Sequence, residues 1–179
     1  MLTLLIMLPV GVAAPALPAP NLVVNGSFEE GPEEIGPFKP LDKGSTAIKG
    51  WTVTRGQIDL IGTFWKSAEG KRSIDLHGSP GHGGIAQTFK TKKGAKYRVE
   101  FQLATTPGAG QRSVIVEAAG ESKEFDVDDK GRTLQEMKWT KMTWEFSATA
   151  TETTLEIRTS GKGDAEQGPA LDDVVVREK

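Results

Sequence analysis

From Asn21 onward, short runs in which apolar and polar residues alternate recur about every 8 to 15 residues, separated by clusters of Gly, Pro, Asp and Ser. A period of two sends successive side chains to opposite faces of a pleated strand, so each run can bury one face and wet the other. The clearest is Lys96 to Leu103, where Tyr97, Val99, Phe101 and Leu103 share one face while Arg98, Glu100 and Gln102 share the other. Lys141 to Ala148 repeats the pattern, with Met142, Trp144 and Phe146 inward. Further strands are expected at Leu22 to Phe28, Ile48 to Val53, Gln57 to Ile61, Arg72 to Leu76, Ile85 to Lys90, Ser113 to Ala118, Lys123 to Val127, Thr154 to Thr159 and Ala170 to Arg177. No helical stripe persists for three turns. About ten short strands in one domain predict an all-β fold, a two-sheet antiparallel β-sandwich of the jelly-roll type spanning residues 21–179.

The first twenty residues stand apart. Leu2 to Val12 is an apolar run without a charge, followed by the Ala/Pro stretch Ala13 to Pro20. At ~1.5 Å per residue the run covers about half of a ~30 Å hydrocarbon core, too short for a transmembrane helix. It reads as a secretory signal peptide with a small-residue cleavage site at Ala14-Pro15-Ala16, although no Lys or Arg precedes it. The expectation is a secreted, extracellular or cell-surface protein with no membrane association after signal removal. Cysteine is absent, which excludes disulfides, thiolate metal sites and cysteine nucleophiles and leans toward a bacterial source. Twenty-two Lys and Arg against 24 Asp and Glu, a net charge of −2, supply no basic field for nucleic acid.

Six segments carry a resemblance when taken in order: Asn21 to Glu29, Gly50 to Val53, Ile58 to Ile61, Glu69 to Leu76, Gly84 to Phe89 and Gly168 to Val174. Together they resemble the choice-of-anchor C family of bacterial secreted proteins, similar in turn to the plant cell-wall family known as domain of unknown function six-four-two. Both resemble galactose-binding-like carbohydrate-binding modules. The plant relatives carry cysteines that this chain lacks. The resemblance implies a sandwich whose first and last strands lie together, with a structural calcium where they meet. Its ligands would be Ser27 through its carbonyl, Glu29, Glu69, Arg72 through its carbonyl, and Asp172. An all-oxygen set of that kind suits a hard cation.

Saccharide recognition commonly stacks a sugar ring on an exposed aromatic side chain. Trp51, Trp139 and Trp144 sit at or in strands and are expected to pack in the sandwich. Trp65 follows Phe64 in the loop Gly62 to Gly70, and one of this pair should be exposed. Trp65 either lines a ligand surface or plugs the space beneath the loop. His77 and His82, in a glycine-rich turn, either border a polar groove or face water. With no Gly-x-Ser-x-Gly elbow they make no triad. The acidic pairs Glu29-Glu30, Asp128-Asp129 and Asp172-Asp173 do not suggest the facing carboxylates of a glycosidase. Asp126 to Arg132 reads as a solvated hairpin turn.

These readings combine into a non-enzymatic carbohydrate-binding module with a structural calcium, recognising cell-wall or extracellular polysaccharide or oligosaccharide. The alternative is a secreted protein-interaction or surface-assembly module, with cell-wall proteins as partners.

Overall fold

A computed structural model describes residues 18–78, 81–162 and 167–179. Most of the expected signal peptide, residues 1–17, lies outside that range. Eleven strands follow in order: β1 (Phe38–Asp42), β2 (Thr52–Arg55), β3 (Gln57–Ile61), β4 (Ser73–Asp75), β5 (Gly84–Lys90), β6 (Lys96–Thr105), β7 (Arg112–Ala118), β8 (Glu121–Val127), β9 (Thr140–Ser147), β10 (Glu152–Thr159) and β11 (Pro169–Glu178). They form two sheets with only antiparallel neighbours, one ordered β1-β3-β4-β11-β6-β9 and the other β2-β5-β10-β7-β8. The fold is the predicted antiparallel jelly-roll sandwich.

Between the sheets, alternate residues from both sides meet. Ile58, Leu60, Ile74, Leu76, Val99, Phe101 and Leu103 from the first sheet pack with Val53, Ile85, Val114, Val116, Leu155 and Ile157 from the second. Each such side chain removed from water contributes roughly 1.5–3 kcal/mol before the entropy of ordering is subtracted.

The residues Leu22 to Phe28 lie beside β11, as predicted, but not as a regular strand. Leu22 N donates to Val176 O at 2.9 Å and Val174 N to Gly26 O at 2.9 Å, while Asn25 and Phe28 take φ of +53° and +62° and interrupt the ladder. Gly26 is required here: a Cβ would stand 1.9 Å from Val174 O. Phe28 is fully buried and packs on Trp51, ring centroids 5.5 Å apart. Trp51 donates its Nε1–H to Asn25 O at 2.9 Å, so it packs in the sandwich as expected.

One irregularity sets the functional geometry. In β11 the register against β6 shifts between Asp172 and Val175, and Asp173 takes φ +47°. The bulge changes the phase of burial, from Leu171 before it to Val174 and Val176 after it. Ala170 and Asp172 are thereby turned to the outer face of the first sheet. That face is covered by two connections, residues 62–72 between β3 and β4 and residues 128–139 between β8 and β9. Under them lies a second small core of Ile61, Trp65, Ala104, Met137 and Ala170, with Trp139 against it.

Candidate functional site

The two chain-end carboxylates reach one loop. Asp172 is fully buried; its Oδ2 accepts from Ala68 N at 2.8 Å and Glu69 N at 3.0 Å, and its Oδ1 from Asp173 N at 2.7 Å. Glu29 Oε1 accepts from Lys71 N and Arg72 N, both at 2.8 Å. The loop 68–72 is therefore held by carboxylates from the start and the end of the domain. Gly70 sits between them at φ +61°, where a Cβ would lie 2.4 Å from Glu29 Oε1. Burial pushes the Asp172 carboxyl up to about 7, against the pull of the amides of Glu69, Asp173 and Ala68.

Of the five implied calcium ligands, Glu29, Glu69, Arg72 and Asp172 thus meet at this brace, and Ser27 lies two residues before Glu29. Their oxygen chemistry suits calcium. The Glu29 and Asp172 carboxylates are already bonded to amide N–H groups, that of Glu69 itself among them, and among the described residues no three His, Cys, Asp or Glu side chains gather as a group able to hold a metal ion.

The brace forms the edge of a groove. Asp172 pairs across strands with Gln102 of β6, and Gln102 lines a cleft of about 280 Å³ between Lys66, Ser67 and Ala68 on one wall and residues 135–139 on the other. Trp139, half-buried, closes one side and donates its Nε1–H to Lys66 O at 3.0 Å, while Lys66 N donates to Leu134 O at 2.9 Å. The two loops are thus fastened together. Arg132 fixes the second wall by donating from its guanidinium to the carbonyls of Asp128, Met137 and Lys138. The expectation of a solvated hairpin over Asp126 to Arg132 is corrected: the segment opens a long connection that roofs the first sheet. Trp139 is likewise corrected, since it packs outside the sandwich and lines the groove.

Trp65 is not a ligand surface. It is 3% exposed and donates its Nε1–H to Ser73 Oγ at 2.7 Å, the plug beneath its loop. Its neighbour Phe64 is the exposed member of the pair, 39% accessible. Phe64 meets Phe38 of β1, also exposed, edge to face with centroids 5.8 Å apart. Of this pair, Phe64 stands on the 62–72 connection that also supplies a groove wall.

His77 is corrected too, being 1% exposed with its Nε2 at 2.7 Å from Thr159 Oγ1. His82 is exposed, and its ring stands 4.9 Å from that of His77. Neither residue lines the groove.

The motif reading missed a second acidic feature. Asp59 and Asp75 are direct cross-strand partners on β3 and β4. Asp75 Oδ1 accepts from His77 N at 2.8 Å and its Oδ2 from Thr106 Oγ1 at 3.3 Å. Burial, with Asp59 adding to it, raises the Asp75 carboxyl to about 7, and burial raises Asp59 to about 6. With Asp75 5% exposed and both oxygens bonded, a substrate has no access to it. The signal was available in Ile58-Asp59-Leu60 and Ile74-Asp75-Leu76, where a lone acid alternates with core residues and must share the outer face.

The family described as "Protein of unknown function (DUF642)" matches residues 21–177. Over 164 residues the chain is 30% identical to "Halomucin" of Haloquadratum walsbyi (strain DSM 16790 / HBSQ001), covering 89% of this chain but only 2% of that protein's length. Among solved structures, TmCBM61 in complex with beta-1,4-galactotriose superposes with a TM-score of 0.55 at 16% identity, covering 90% of this chain and all of that one. A family 35 carbohydrate binding module from Clostridium thermocellum gives 0.53 at 13% identity, covering 77% of this chain and 97% of its own. CBM35 from Paenibacillus barcinonensis gives 0.52 at 16%, covering 79% and 99%. At these identities the likeness establishes a shared fold.

Proposed function

The chain belongs to the DUF642 family, and we propose that it is a non-catalytic carbohydrate-binding domain acting outside the cell, with the groove between residues 66–68 and 135–139 as its saccharide site. The observation that carries this reading is the composition of the groove. A half-buried indole, Trp139, can take the apolar face of a sugar ring, while the amides of Gln102 and Gln135 offer donors and acceptors to its hydroxyls. The exposed Phe64 and Phe38 would extend the platform along a longer chain. The shared fold of the carbohydrate-binding modules supports the reading, and one of them was solved with a galactotriose. The likeness to a halomucin segment supports an extracellular setting. In favour of a non-catalytic role, Asp172 and Asp75 are buried and spend their oxygens on the protein's own donors.

We further propose calcium as a brace at the chain-end junction, held by Glu29, Glu69 and Asp172 with the carbonyls of Ser27 and Arg72. When bound, it would neutralise the buried Asp172, and Glu29, Glu69 and Asp172 would then hold the 68–72 loop through the ion as well as through its amides.

Glycan-array binding tests the main reading. Wild-type protein is expected to bind a defined set of oligosaccharides, and Trp139→Ala to lose about fivefold or more in affinity, since stacking on one ring contributes ~1 kcal/mol or more. Binding unaffected by Trp139→Ala would remove the groove as the site. Capture of a wall protein through the exposed Phe38 and Phe64, with no glycan bound, would favour an interaction module instead.

A further inference from the structure

Resting on the saccharide reading of this groove, we infer that its ligand is an acidic saccharide, one bearing carboxylate or sulfate groups, in preference to a neutral one. Each wall contributes a lysine to the lining, Lys66 on one and Lys138 on the other. Among the described residues neither pairs with a carboxylate. On the same sheet Lys141 is matched with Glu100 at 3.0 Å, and on the other sheet Lys162 is matched with Glu124 at 3.0 Å and Lys90 with Glu152 at 2.7 Å. A chain of net charge −2 thus gathers two unmatched cations in one cleft. Glu136 is the one carboxylate among the lining residues. Arg132 adds a third positive group behind the second wall, where its guanidinium binds the Met137 and Lys138 carbonyls.

The position of Lys138 is itself built. Its φ is +47°, a conformation unfavourable for any residue with a Cβ, and such outliers persist where surrounding contacts fix them and concentrate at functional sites. Here Arg132 and Thr140 Oγ1 both donate to its carbonyl. These bonds fix the Lys138 backbone beside Trp139, and its ammonium lies over Gly131 of the same connection, within reach of the cleft by side-chain rotation alone. Gln102 and Gln135 satisfy hydroxyls equally well on neutral and acidic sugars, so discrimination falls to the two lysines. Exposed ammonium groups facing anions also predict a binding strength that salt weakens.

Calorimetric titration of the full chain with a galacturonate tetramer, a sulfated galactan oligomer and a neutral β-1,4-galactan tetramer tests the inference. The expected result is that a charged oligomer binds more tightly than the neutral one. Its affinity should fall about tenfold in the Lys66→Gln/Lys138→Gln double variant and also as NaCl rises from about 50 to 500 mM. The Lys66→Arg/Lys138→Arg variant, which keeps both charges, should bind within about threefold of wild type. Tighter binding of the carboxylated oligomer would identify a uronate as the source of the charge, and of the sulfated one a sulfate ester. Equal binding of charged and neutral oligomers, independent of salt and of both lysines, would overturn the acidic preference and leave the saccharide site standing. Absence of binding to all three, and across a wider glycan array, would overturn both.

Discussion

Asp75 and Asp59 oppose each other across β3 and β4, and pairing like charges in this way is unfavourable when both are ionised. Burial raises the proton affinity of both, and the pairing adds to it at Asp75. Asp75 rises from an ordinary 3.8 to about 7 and Asp59 to about 6. The folded state therefore binds more protons than the unfolded chain between about pH 4 and 7, and the stability these groups supply is lost as pH climbs through that window. The melting temperature is expected to be highest near pH 4 to 5 and to decline toward about pH 7.5, with Asp75→Asn flattening the decline. Calorimetric scans across that range check it; a wild-type curve that climbs to pH 8 would sink the assignment. Trp65 shows what single residues conceal. Phe64 and Trp65 are adjacent in a loop without periodicity, so nothing in the string Gly62 to Gly70 says which ring turns inward. That is decided by Ser73, which accepts the Trp65 indole N–H across the sheet face.

At the level of strands the sequence was largely readable. Gln57 to Ile61 was expected with the bounds it has, and the alternation of Lys96 to Leu103 and Lys141 to Ala148 placed β6 and β9 within a few residues. β1 was not expected, because Phe38-Lys39-Pro40-Leu41-Asp42 has only Leu41 buried and carries a proline, tolerated there because the strand is at a sheet edge. The groove was less legible. Its walls are irregular connections brought together over the outer face of a sheet, and alternation assigns that face to solvent. The chain-end brace was anticipated from the order of segments, yet its geometry depends on Gly70. Gly70→Ala is expected to cost about 2–4 kcal/mol, from the left-handed backbone and the displaced Glu29 hydrogen bonds, or about 5–12 °C in melting temperature. Gly44→Ala, at φ +88° with no neighbour near its Cβ, is the control and should cost only the backbone part. Equal losses in the two variants would show that Glu29 does not need the space.

For the molecule as a whole, the proposed calcium makes a global prediction. Chelation should lower the melting temperature, and Asp172→Ala should abolish the difference; identical melting curves with and without chelator would leave the brace to its amides alone. The same junction also sets how the domain would respond to tension. The segment from Asn21 runs antiparallel to β11, with Asn21 Oδ1 accepting from Val176 N and Leu22 N donating to Val176 O. The points where strain would be applied therefore sit side by side. A pull on both would load these bonds one after another, like a zipper, instead of sharing the force among them, and the body would yield first along the seam that its acids secure.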